Sequence, residues 1–401
     1  MMLLLDSSLD ERTPSNCCKN MLTFMNCTKC EVCAAAVNVY APMSFVHLSL
    51  LFRLLLGPIC TLGIILLTIA VYQTRTLHYN ARLLLMCMTI SVMVCNIGVL
   101  LDAVYKLFIS FVIPEELRCE FQVYKPQYFF ALRGVHIVGG LGLALSTMFL
   151  AVERALATIT YVTYEQHGRR WIGIILTVTQ ACFLMFYYLS DKVKSFDVAT
   201  IPQNTKFFGN VIYGLNIIAL IVFTMLYLVN RRRKRSLTDS QLRVLSTRFQ
   251  LRENIATTRL MTPVMFVVAL MTTSSQWGIF FLFGKGYRKT GVEHFANVYY
   301  FHLPDLDEGT VVTSAVLEDV ASFAPYAEYQ MSVMPLITLM LIVLLPCFNL
   351  HIKRSFVRIS HLSACFPERP TSIDAVTVDE ARDLYFEKLK GQWHESATHR
   401  G

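Results

Sequence analysis

Seven runs of mostly apolar residues divide this chain, at about 54–72, 83–105, 128–152, 171–189, 208–229, 262–283 and 331–348. A bilayer's hydrocarbon core, roughly 30 Å thick, is crossed by about 20 such residues in helical form. No water reaches that core to satisfy backbone N–H and C=O groups, so each run is expected to be a helix. The alternation that marks an outer-membrane barrel is missing from the sequence. Composition agrees: of 401 residues, 54% are hydrophobic and only 16% charged, against about a quarter charged in soluble domains. Mean hydropathy is +0.48. The chain therefore reads as an all-α membrane protein, a seven-transmembrane helix bundle over 54–349. A Cys-rich head, 1–53, precedes it and a tail, 350–401, follows. Met1–Leu5 is too short for a signal-peptide core, which leaves targeting to the first span.

Orientation follows from the basic residues and two features of the head. With the N-terminus outside and the C-terminus cytosolic, 17 Lys and Arg fall in inner loops and the proximal tail, and 10 fall outside, Arg53 and Lys106 among them. This is the positive-inside bias, although Arg231–Arg235 and the rest of one loop supply the whole excess. Asn26-Cys27-Thr28 is a glycosylation sequon, with Asn26 the acceptor, usable only on the lumenal side. Cys17, Cys18, Cys27, Cys30 and Cys33 crowd the same segment, as suits an oxidising compartment. The Cys27-x-x-Cys30-x-x-Cys33 spacing also raises zinc, but a structural site wants four ligands and His47 is the nearest histidine. Disulfides are the favoured reading, with Cys119 either bonding a head cysteine or staying free, so no metal and no cofactor is expected. A membrane location also sets aside nucleic acid as a target of the Arg231–Arg235 run, whose plain role is contact with anionic membrane lipids.

Two polar strings abut the apolar runs. Glu153-Arg154 ends the third run, and Tyr164-Glu165 follows it. Arg248, Gln250, Glu253 and Asn254 precede the sixth. An unpaired ion beside hydrocarbon costs several kcal/mol, so Arg154 needs a partner. It is either a latch that pairs locally until helices separate, or a snorkelling arginine marking the interface. Toward the outer end, Asp102 in the second run and Arg133 and His136 in the third are intramembrane ionisable groups, functional candidates by default. Arg133 and Asp102 are expected to pair, with His136 beside them, around a ligand pocket; an interhelical structural ion pair is the competing reading. Gly139, Gly140, Gly142, Ala144 and Ser146 read as a packing stripe. Beyond the last run, Leu350–Leu362 is amphipathic and suits an interfacial helix, with Cys365 a candidate for palmitoylation. The 284–330 segment is long for a helix connection.

Catalytic constellations such as His-Glu-x-x-His or Gly-x-Ser-x-Gly are missing from the sequence, so the chain is not read as an enzyme. Glu153-Arg154-x-x-Ala157-Thr158, Tyr164-Glu165-x-x-x-Arg169, Arg248-Phe249-Gln250-x-x-Glu253-Asn254 and His78-Tyr79-Asn80, with Glu328 and Pro335, together resemble the nematode serpentine chemoreceptors of class epsilon (Sre), in the Sra superfamily. Thr163 and Met334 depart from that pattern. The resemblance implies a G-protein-coupled receptor on chemosensory neurons, with a small-molecule ligand outside and a heterotrimeric G protein inside. A seven-helix channel or transporter is the alternative. Transport favours Gly- or Pro-broken spans with midplane charges in matched halves, whereas here charges sit at span ends.

Overall fold

The computed structural model describes residues 45–74, 77–114, 126–160, 170–194, 201–236, 254–273 and 314–360, excepting the side chains of 126–133, 170, 188–194, 201–209, 234–236 and 314–327. Among these residues the structure is helical: α1 Phe45–Gln73, α2 Tyr79–Val112, α3 Pro126–Ile159, α4 Arg170–Lys194, α5 Ile201–Ser236, α6 Asn254–Thr273, α7 Ser314–Phe348 and α8 Leu350–Ile359. Six stretches are long and apolar enough to cross a membrane: α1, α2, Gly134–Ile159 of α3, Asn210–Arg233 of α5, α6, and Glu328–Phe348 of α7. The apolar part of α4, Trp171–Tyr187, is shorter. Residues 1–356 form one compact unit; the other, 357–401, lies mostly outside the described residues, as does Cys365.

The helices outrun the apolar runs that announce them. α1 begins by Phe45 rather than at 54, α3 continues to Ile159 and α6 begins by Asn254. Hydropathy marks the thickness of the hydrocarbon, whereas a helix ends where its backbone groups find other partners. Two such ends are visible. His78 Nδ1 accepts from the Asn80 amide at 3.4 Å and caps α2. Asn349 Oδ1 accepts from the amides of His351 and Ile352 at 3.0 and 3.1 Å, separating α8 from α7. Asparagine is a preferred N-cap for this reason.

Packing centres on α2. It lies against α1, α3, α4 and α7, while α5 rests on α3 and α7 on α1. Small residues set the α2–α3 crossing. A Cβ on Gly139 would lie 2.4 Å from the Cys95 backbone nitrogen, and one on Gly98 2.7 Å from that of His136. One on Gly142 would meet Ser91 Oγ at 2.6 Å. The three meetings, 91 with 142, 95 with 139 and 98 with 136, define an antiparallel register. Gly140 faces away, its nearest neighbour Ile212 at 3.9 Å. The glycine stripe is a packing device, as expected. Gln180 of α4 reinforces it by donating to Gly142 O and Ser146 Oγ at 3.1 and 2.7 Å.

In α1, Pro58 removes one backbone donor. Close by, Gly57 O accepts from Thr61 Oγ1 and from Asn96 Nδ2 of α2, at 2.8 and 3.0 Å, which ties α1 to α2 beside the proline.

Candidate coupling site and a second polar cluster

The end of α3 is gathered by α5 and α6. Arg154 donates from Nε and Nη2 to the two carboxylate oxygens of Glu153, both at 2.5 Å. Its remaining arm, Nη1, donates to Asn254 Oδ1 on α6 at 3.1 Å. Glu153 and Arg154 are 0% and 1% exposed. They sit inside the last turns of α3, not beyond its end as the apolar run suggests. A guanidinium held by one carboxylate in a two-point fork is among the stronger ionic contacts. Burial among helices also explains why Arg154 does not snorkel.

The last carbonyls of a helix have no partner within it and carry its negative pole. Here neighbours supply donors. Asn254 Nδ2 reaches Ala157 O at 3.3 Å and Arg233 Nη1 of α5 reaches Thr158 O at 2.6 Å. Asn230 Nδ2 meets Thr158 Oγ1 at 3.3 Å. Asn254 thus bonds twice to α3, once to a side chain and once to the backbone. Arg233 belongs to the basic run read from sequence as a lipid-facing anchor, yet it caps α3. Of the other residues assigned to coupling, Tyr164, Glu165, Arg248, Gln250 and Glu253 lie outside the described residues.

The second cluster joins α1, α2 and α7. Arg53 Nη1 bonds Asp102 Oδ2 at 3.1 Å, and its Nη2 makes a short bond to Glu328. Lys106 Nζ bonds Asp102 Oδ2 at 3.0 Å and Glu328 Oε1 at 2.6 Å. Each cation therefore touches both carboxylates, closing a neutral ring of four. Ser49 Oγ donates to Glu328 O at 3.2 Å and pairs with Ser332 Oγ at 2.7 Å. Arg53 Nε reaches Ser49 O at 3.4 Å, which orients the guanidinium.

This ring corrects one expectation and adds partners to another. Asp102 is engaged by Arg53 and Lys106; the side chain of Arg133, its expected partner, lies outside the described residues. Arg53 and Lys106, counted from sequence as loop charges, sit within α1 and α2 and are buried. His136 pairs elsewhere, its Nδ1 3.2 Å from Cys95 Sγ at the α2–α3 crossing. The spacing of Asp102 and Lys106, four apart on one helix, was the available sequence signal. For Arg53 and Glu328, 275 residues apart, the sequence carries none.

The two clusters lie at opposite ends of the bundle. The α2–α3 register sets Asp102 beside about residue 132 of α3, some 22 residues short of Arg154. At 1.5 Å per residue that separation is about 33 Å. A polar layer at each end, with helices long and apolar enough to cross a membrane between them, defines a multi-pass membrane protein.

The comparisons supply the family. A model of the serpentine type 7TM GPCR receptor class ab chemoreceptors matches residues 29–298, and the chain belongs to that family. It is similar to serpentine receptor class alpha/beta-14 of Caenorhabditis elegans, 24% identical over 227 residues, 53% of this chain and 58% of that one. Serpentine receptor class beta-16 is 28% identical over 148 residues, covering 34% and 42%. Serpentine receptor class epsilon-21 is 28% identical over 153 residues, covering 35% and 36%, all from the same organism. The chain thus spans little more than half the length of the first of these relatives. The epsilon resemblance is one among several serpentine classes, and the family match is to class ab. It stops before α7, so Glu328 lies beyond it.

Proposed function

We propose that the chain is a chemosensory receptor that detects an external small molecule and activates a cytosolic heterotrimeric G protein. Seven spans, an outer N-terminus carrying the Asn26 sequon and a cytosolic tail belong to this reading, as does residence in the plasma membrane of chemosensory neurons. One observation carries it: Arg154 is held between Glu153 on its own helix and Asn254 on α6. A buried arginine in that position has two states. In the closed state its donors are consumed locally; when α6 leaves, the Asn254 bond is lost and the cleft between α3, α5 and α6 opens to a transducer. Tyr164, Glu165, Arg248, Gln250 and Glu253 complete the coupling surface in this account. Asp102, Arg133 and His136 belong to the ligand half of the molecule.

Family membership supports the receptor class, and the positive-inside bias supports the orientation. The test is charge reversal. Arg154→Glu is expected to abolish agonist-evoked nucleotide exchange on the G protein while surface expression stays within two-fold of wild type. Full signalling by Arg154→Glu at normal surface levels would sink the proposal.

A further inference from the structure

The ring of Arg53, Asp102, Lys106 and Glu328 is not absorbed by the coupling mechanism. Buried ion pairs are poor investments in stability: well-packed apolar residues of the same size serve as well or better. Charges that persist inside a membrane protein mark function by default. What these four can do follows from how each is held.

The cationic half is preorganised. Arg53 is fully buried and its Nε is turned by Ser49 O, one helical turn away. Its two terminal nitrogens point at separate carboxylates. Lys106 adds three rotatable donors beside it and is the most exposed of the four, at 10% of its side chain. A fixed guanidinium with an ammonium alongside is a receptor for an oxyanion. The two acids differ. Asp102 shares α2 with Lys106, so it stays when neighbouring helices shift. Glu328 alone comes from α7, a helix packed on α1 and α2. It fills the oxyanion position from the far side, as a tethered occupant.

We propose that Arg53 and Lys106 form the charge-recognition site for the ligand, and that the ligand class is a small organic carboxylate that displaces Glu328. This rests on the chemoreceptor reading above. The incoming carboxylate replaces Glu328 one for one, so the ring remains neutral. Release of the Glu328 carboxylate loosens α7 from α1 and α2 at that turn, while Ser49 Oγ keeps Glu328 O and Ser332 Oγ and Cys60 Sγ keeps Pro335 O, at 3.2, 2.7 and 3.3 Å. Binding is thereby linked to movement of α7. A tethered competitor also means that affinity in wild type is set by exchange, not by the bare site.

The test uses full-length receptor in detergent with radiolabelled propionate as the probe, so no G protein takes part and coupling can fail separately. Glu328→Gln removes the competing charge while keeping its size, and should bind propionate at least ten-fold more tightly than wild type. Glu328→Ala serves as the second variant, and whichever is monodisperse is scored. Adding Lys106→Met to either should return binding to background, and excess unlabelled propionate should displace the label where excess chloride does not. Equal binding in wild type and the Glu328 variants, or binding indifferent to Lys106→Met, overturns the proposal.

Discussion

The two polar ends of the bundle solve the same problem in different ways. At the α1–α2–α7 end four full charges neutralise one another across three helices. At the α3–α5–α6 end one ion pair sits within a single helix, and the ties between helices described above are hydrogen bonds to an amide, a hydroxyl and two backbone carbonyls. Breaking the first strands a charge in a low-dielectric interior. Moving α6 away at the second breaks the two Asn254 hydrogen bonds, while Arg154 keeps Glu153. An end that must open to a protein partner without unfolding the bundle is better built the second way. The charged ring is suited to a site where one ion is exchanged for another.

The largest effect is expected at the ring. Arg53→Met leaves two carboxylates facing one ammonium and should destabilise the solubilised receptor by about 3–5 kcal/mol, seen as a lowered melting temperature. Combining it with Glu328→Met restores neutrality and should recover most of the loss. A single variant as stable as wild type would mean that the ring carries no weight.

Next comes the crossing that joins the two ends. Gly139→Ala drives a methyl into the Cys95 backbone and should cost about 1–3 kcal/mol. Gly140→Ala should stay within about 0.5 kcal/mol, because its neighbour stands at ordinary contact distance. Equal melting temperatures for the two variants would remove the register argued here.

Smaller still is Asn254→Ala. It deletes one hydrogen bond to Arg154 and one to Ala157 O, about 1–2 kcal/mol together. Because that tie holds the closed arrangement, basal nucleotide exchange should rise several-fold while stability falls modestly. Unchanged basal exchange in a folded Asn254→Ala receptor would separate the tie from coupling.

Much of this was legible in the amino-acid sequence, and the failures share a cause. Apolar runs located the helices, and the adjacency of Glu153 and Arg154 at a span end offered a local pair as one of two readings; the bond from Arg154 to Asn254 of α6 comes from the fold alone. Arg53 was misplaced because a charge in a hydropathy profile is taken for the water's edge. Neutralised by two carboxylates, it lies within α1 instead. Glu328 belonged to a family pattern, with no partner deducible across 275 residues. His78 and Asn80 read as a motif; in the fold one caps α2 and the other lies under Gly173, whose Cβ would come within 2.7 Å of Asn80 Oδ1. The motifs reached the serpentine receptors without settling the class: class epsilon relatives are among those the chain resembles, while the match to class ab spans residues 29–298.

The central claim is that the α3–α5–α6 end faces the cytosol, where a transducer can meet it. An epitope inserted after Ser236, just past the described end of α5, tests this by antibody staining of intact and permeabilised cells. The account predicts staining only after permeabilisation, with a tag at the N-terminus stained in both. Staining of the Ser236 epitope on intact cells would contradict it.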